Sequence, residues 1–261
     1  MTTSLLEPPS PKQANVPPMS FWDHLSQLRQ LIIQSSLALL GGCIVSICLF
    51  PYLAKVMNGP LSKAAKTNPE ILQGLVTNSP MGVFSVLFQI SLLGGLGLAL
   101  PVILFFVARF ISPALTSREK KIIFPLSLIA FVLFLVGASF SYFFVLPASL
   151  VFSMELNNTF GFKLIWSAVD YYSLVSWMTV GIGLCFEFPL VVMALVASGL
   201  VSSQKLVSIR RYILIGILIV GAAIIPGGDP ISLILLATPL YASYELVIWV
   251  GKKLEKKRIY E

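Results

Sequence analysis

Six apolar runs, each about as long as a bilayer is thick, constrain this chain more than any other feature: Leu31 to Phe50, Val83 to Val107, Ile122 to Leu146, Tyr171 to Ala197, Tyr212 to Ile225 and Ile231 to Val250. A spanning β-strand needs only about ten residues and alternates polar with apolar. These runs are longer and apolar on every face, and in lipid only a helix satisfies its own backbone groups within one segment. The expected fold is an all-α integral membrane protein of six helices, over about 31–50, 83–107, 122–146, 171–197, 212–225 and 231–250. Charged residues make up only 11% of the chain, against about 25% in an average soluble domain, which leaves little for a separate soluble domain. Residues 1–18 read as a disordered arm, 19–251 as the membrane domain and 252–261 as a basic tail. The arm lacks the apolar core of a secretory signal.

Net charge is +7, but no basic stripe interleaved with aromatics suggests nucleic acid, and the cations follow topology instead. Fourteen Lys and Arg fall on the side of the termini, in the arm, after spans two and four, and in the tail. Only Lys55, Lys63, Lys66 and Lys163 fall on the other. The positive-inside bias therefore places both termini in the cytoplasm. The fifth run is 14 residues, about 21 Å of helix against a hydrocarbon core of about 30 Å. It is tied to the sixth by Pro226-Gly227-Gly228-Asp229-Pro230, so a short hairpin in thinned membrane is expected.

Catalysis has little to stand on: there is no HExxH, GxSxG, Walker or dinucleotide loop, and one histidine, His24. No cofactor or metal is expected. Cys43, Cys48 and Cys185 lie in apolar runs without CxxC spacing and read as small buried hydrophobes. Gly94, Gly95 and Gly97 offer a close-packing surface, more for helices within one chain than between chains. What stands out is polarity where lipid makes it expensive. Glu187, in Cys185-Phe186-Glu187-Phe188-Pro189, lies deep in span four, where a charge costs at least about 3 kcal/mol. Pro189 cannot donate to the Cys185 carbonyl and should kink the helix there. Gln89 is a weaker version of the same signal. Glu245, near the end of span six, reads as a solvated or snorkelling group. Ahead of span one, Phe21, Leu25, Leu28 and Ile32 recur at helical spacing, the mark of an amphipathic lead-in helix. An intramembrane acid with proline-broken spans also suits a proton-coupled secondary transporter of a small solute, although the two halves show no internal repeat.

Taken in order, several motifs resemble the TatC family, the multispanning subunit of the twin-arginine protein translocase. They are His24-Leu25-Ser26-Gln27-Leu28-Arg29 before span one, Gly59-Pro60-Leu61, Pro101-Val102-Ile103-Leu104, Phe110-Ile111-Ser112-Pro113-Ala114-Leu115, Glu119-Lys120-Lys121, Tyr142 with Pro147, Phe186-Glu187-Phe188-Pro189, Arg211-Tyr212, and Pro226 with Asp229. The resemblance implies a receptor, not an enzyme. It would bind twin-arginine signal peptides of folded cargo, recruit TatB-like and TatA-like single-span partners, self-associate in a bacterial plasma membrane, and work on the proton gradient. By the same resemblance, Glu119, Gln27, Arg29, Phe110, His24 and Leu25 form the signal-binding surface. Glu187, with Pro189 and Gln89, meets partner helices, while Pro60, Tyr142 and Asp229 belong to the outer loops. Gln27 stands where the family usually has glutamate, and Leu233 where a glutamine is common.

Overall fold

A computed structural model describes residues 21–65, 75–111, 123–162, 165–197 and 199–260. Within them the chain is α-helical apart from short turns and one parallel bridge between Val76 and Ser167. Five helical stretches are long and apolar enough to cross a membrane: His24–Cys48, Gly82–Phe110, Phe124–Thr159, Ala168–Ala197 and Pro230–Lys256.

Helix α1, Phe21–Cys48, takes in both the amphipathic lead-in and the first apolar run. It starts ten residues before the expected boundary, because no Gly or Pro interrupts Phe21 to Leu31. Two short helices follow on the same side, α2 at Phe50–Met57 and α3 at Gly59–Ala65. Helix α4, Gly82–Ile111, returns alongside α1 with Pro101 in its interior. The two backbones touch at a glycine crossing. A methyl on Gly42 would lie 2.4 Å from the Gly95 carbonyl oxygen, and one on Gly95 would lie 2.7 Å from the Cys43 nitrogen. Small residues allow this approach, which dispersion and close packing stabilise where the hydrophobic effect is absent. Gly97 faces open space, so Gly94 and Gly95 carry the packing role. Gly95→Leu is expected to push α1 off α4, because the clash is with backbone that cannot rotate away. The measurement is disulfide trapping of cysteines placed at 24 and 110 in a background without Cys43, Cys48 and Cys185: the crosslink should form at glycine and be lost at leucine.

Helix α5, Ile123–Phe140, continues through a π-helical turn, Ser141–Val145, into α6, Leu146–Thr159. The third helical stretch therefore runs 13 residues past the expected end at Leu146. A proline ring clashes with the carbonyl four residues earlier and lacks a donor. Widening the turn just before Pro147 absorbs both defects without breaking the helix.

The fourth run divides into α7, Ala168–Cys185, and α8, Phe188–Ala197, broken at Phe186 and Glu187. Pro189 is at the second position of α8, where a missing N–H costs nothing. Helices α5 and α7 interlock here: Phe134 occupies the space a side chain at Gly183 would need, and Phe186 that at Gly137.

Helix α9, Ser203–Ser208, leads into the short α10, Arg210–Ile224. Its 15 residues give about 22 Å. A tight turn in which Gly227 and Gly228 both have positive φ, 74° and 59°, a region that disfavours other residues, reverses the chain into α11. That helix, Pro230–Tyr260, contains Pro239 and carries helical structure ten residues beyond the expected end of span six.

The main buried cluster joins α4, α6, α7, α10 and α11 around Ile90, Leu146, Met178, Ile182, Ile225 and Leu236. A second, around Val196, Leu206, Tyr244 and Ile248, binds α9 between α8 and α11. There the Tyr244 hydroxyl donates to the Leu206 carbonyl at 2.8 Å. Cys48 is exposed, while Cys43 and Cys185 are half-buried. The expectation of three buried thiols thus fails for Cys48, the last residue of α1.

Candidate functional site

At the α1 start, the His24 ring stacks on Phe110 of the last turn of α4, with ring centroids 4.7 Å apart and planes 29° from parallel. The α1/α4 pairing closes this contact between residues 86 positions apart in sequence. Around it, Leu25 and Arg29 are exposed, and Gln27 is half-buried. His24, Leu25, Gln27, Arg29 and Phe110 are thus brought to one end of one helix pair. Glu119, the acid expected to complete the surface, lies outside the described residues, as do Ser112 to Leu115, Lys120 and Lys121. Chemically the patch offers an aromatic platform beside hydrogen-bonding groups, arranged on two helices that glycine contacts hold together.

Glu187 occupies the break between α7 and α8. Its main-chain N–H donates to the Leu184 carbonyl at 3.1 Å, and its own carbonyl accepts from Leu190 and Val191. Its Oε1 atom is buried without a hydrogen-bond partner among the described residues, as is Oε1 of Gln89 in α4. A buried polar atom left unsatisfied costs about 1–3 kcal/mol. Two acceptors, at Glu187 and Gln89, are thus left unsatisfied among the described residues. Pro189 is buried beside the break.

On the far side, three tyrosines brace the segment from Val56 to Leu61. The Tyr142 hydroxyl donates to the Val56 carbonyl. That of Tyr171 donates to the Met57 carbonyl at 2.7 Å, and that of Tyr172 to Asn58 Oδ1 at 3.0 Å. Gly59 packs against the Tyr142 hydroxyl so closely that a methyl would fall 2.0 Å from it, and Pro60 is buried. Asp229, only 2% exposed, caps α11: its Oδ1 accepts from the Ser232 N–H and its Oδ2 from the Ser149 hydroxyl, both at 2.6 Å. Pro60, Tyr142 and Asp229 therefore act as braces, not as one site; Asp229 is in a separate cluster with Ser149 and Ser232.

Several of these contacts escape sequence reading. Tyr171 and Tyr172 look like the start of an apolar run, and Ser149 like any helical serine. Glu245 is 34% exposed and also paired. It accepts from Arg210 Nη2 at 2.6 Å, joining the start of α10 to the middle of α11. Opposite charges at matching depth in consecutive spans are the signal that reveals such a pair.

Residues 23–239 match the family described as Sec-independent protein translocase protein (TatC). The Sec-independent protein translocase protein TatC of Aquifex aeolicus (strain VF5) is 36% identical over 241 residues, covering 92% of this chain and 98% of that protein. The chloroplastic TATC of Pisum sativum is 31% identical over 234 residues, 90% of this chain and 64% of that protein. Among solved structures, the crystal structure of a twin arginine translocase receptor TatC in DDM superposes with a TM-score of 0.75 at 36% identity, covering 87% of this chain and 99% of that one. Sequence and fold agree over nearly the whole length, and the chain belongs to the TatC family of Sec-independent protein translocase proteins.

Proposed function

We propose that this protein is the receptor subunit of a twin-arginine translocase, binding the consecutive arginines of signal peptides on folded cargo at its cytoplasmic face. The observation that carries the reading is the His24–Phe110 contact, which gathers the lead-in residues of α1 and the end of α4 into one patch. Glu119 follows nine residues after Phe110. Such an acid holds guanidinium forks by bidentate, charge-assisted hydrogen bonds. In this reading α10 is the fifth of six spans, both termini are cytoplasmic, and residues 1–18 and 252–261 flank the membrane domain in a bacterial inner membrane. TatB-like and TatA-like single-span partners dock at Glu187, Pro189 and Gln89, and the proton gradient drives transport.

The test compares binding of the detergent-solubilised protein to a fluorescent Arg-Arg signal peptide and its Lys-Lys twin, with and without Gln27→Glu. Preference for Arg-Arg that strengthens on restoring glutamate is the expected result. No preference in either protein overturns the reading. Glu187→Ala is expected to leave peptide affinity unchanged but to lower co-purification of a TatB-like partner several-fold, because the buried acceptor is then gone. Equal losses of both would make Glu187 a folding residue instead.

A further inference from the structure

The short helix α10 leaves an apolar groove along its outer face. The groove has a volume of about 580 Å³ and is lined by Trp177 and Leu184 of α7, Phe188 of α8, and Tyr212, Gly216 and Val220 of α10, with Leu240 of α11 as its floor. It follows α10 from Tyr212 to Ile224, about 18 Å at 1.5 Å per residue. One leaflet contributes about 15 Å of hydrocarbon. Nothing occupies the space over Gly216, where an added methyl would meet no atom within 4 Å.

The polar end of the groove carries a positive charge. Arg210 is committed to Glu245, whereas Arg211 lies over the Tyr212 ring, its guanidinium 5.9 Å from the centroid. Among the described residues Arg211 forms no ion pair. The start of α10 has no side-chain cap, so its N-terminal dipole adds to the positive potential. An aliphatic channel one leaflet long, with a guanidinium and a tyrosine at its headgroup end, matches a two-part amphiphile with an anionic head.

We propose that this groove seats one anionic glycerophospholipid, an acyl chain lying between α7 and α10 and the phosphate held by Arg211. Such a lipid fills the mismatch that a 15-residue helix creates in the bilayer. A guanidinium fork recognises phosphate bidentately, which a zwitterionic headgroup partly neutralises with its own amine.

Trp177 lines the groove and is 59% exposed, so it reports occupancy. In a protein with the other three tryptophans changed to phenylalanine, reconstituted in phosphatidylcholine nanodiscs, chain-brominated phosphatidylglycerol is expected to quench Trp177 saturably and more strongly than chain-brominated phosphatidylcholine. Gly216→Leu should fill the channel without a clash and abolish the saturable quenching. Arg211→Gln should bring quenching by phosphatidylglycerol down to the phosphatidylcholine level. Equal quenching by the two lipids in the parent, or quenching untouched by Gly216→Leu, overturns the proposal. Shielding of Trp177 by an added single-span partner that no lipid concentration reverses also overturns it, assigning the groove to a protein helix.

Discussion

Asp229→Ala is expected to destabilise the protein by about 3 kcal/mol, because it strands a buried main-chain N–H, whose bond caps α11, and takes the charged acceptor from a buried hydroxyl, at about 1–3 kcal/mol each. The partners are the Ser232 N–H and the Ser149 hydroxyl, with the two serine oxygens 2.8 Å apart. Thermal unfolding in detergent measures the effect. For a chain of this size 1 kcal/mol moves Tm by about 2–4 °C, so a fall of about 6–12 °C is expected. Asn at 229 keeps an acceptor for Ser232 and should recover much of the loss, since Ser149 can accept as well as donate. If Asn and Ala are equally harmful, charge rather than hydrogen bonding is what the cluster requires. An unchanged Tm for alanine would mean that the α10–α11 turn holds without its cap.

Glu119→Ala is expected to weaken binding of an Arg-Arg signal peptide by about 10- to 100-fold. A hydrogen bond to a charged group contributes about 1.5–3 kcal/mol, and each 1.4 kcal/mol is a factor of ten in affinity. With Gln27 neutral, no second acid of the lead-in motif shares the load, so the loss should be large. In a Gln27→Glu background the same substitution should cost less, and the difference between the two backgrounds is the coupling between positions 27 and 119. Fluorescence anisotropy with the Arg-Arg peptide reads all four proteins. An unchanged affinity for Glu119→Ala removes that residue from the proposed clamp.

Much of this architecture is legible in local chemistry. Apolar run length announces the long helices, the shortness of the apolar run between Arg211 and Pro226 announces the short α10, and Gly-Gly before Asp-Pro announces the reversal into α11. Glu187 is conspicuous because a carboxyl is costly at that depth, whatever surrounds it. Pro147 misleads, since a proline inside a helix ends it in most settings; here a π turn, visible only in the folded backbone, carries the helix on to Thr159. Glu245 is legible as a group near the water boundary, but its pairing is not, because the arginine partner is 35 residues away.

The all-helical class, the long apolar helices and their punctuation were thus determined by the sequence alone, because lipid forces every segment to satisfy its own backbone and so makes each run interpretable by itself. Only the tertiary structure decided which side chains meet. The stacking of His24 on Phe110, the bracing of Val56 to Leu61 by three tyrosines, and the sharing of Asp229 between two serines all join residues brought together by helix packing. Those contacts depend on crossing points such as Gly42 against Gly95, where the missing side chain matters only because of what lies opposite.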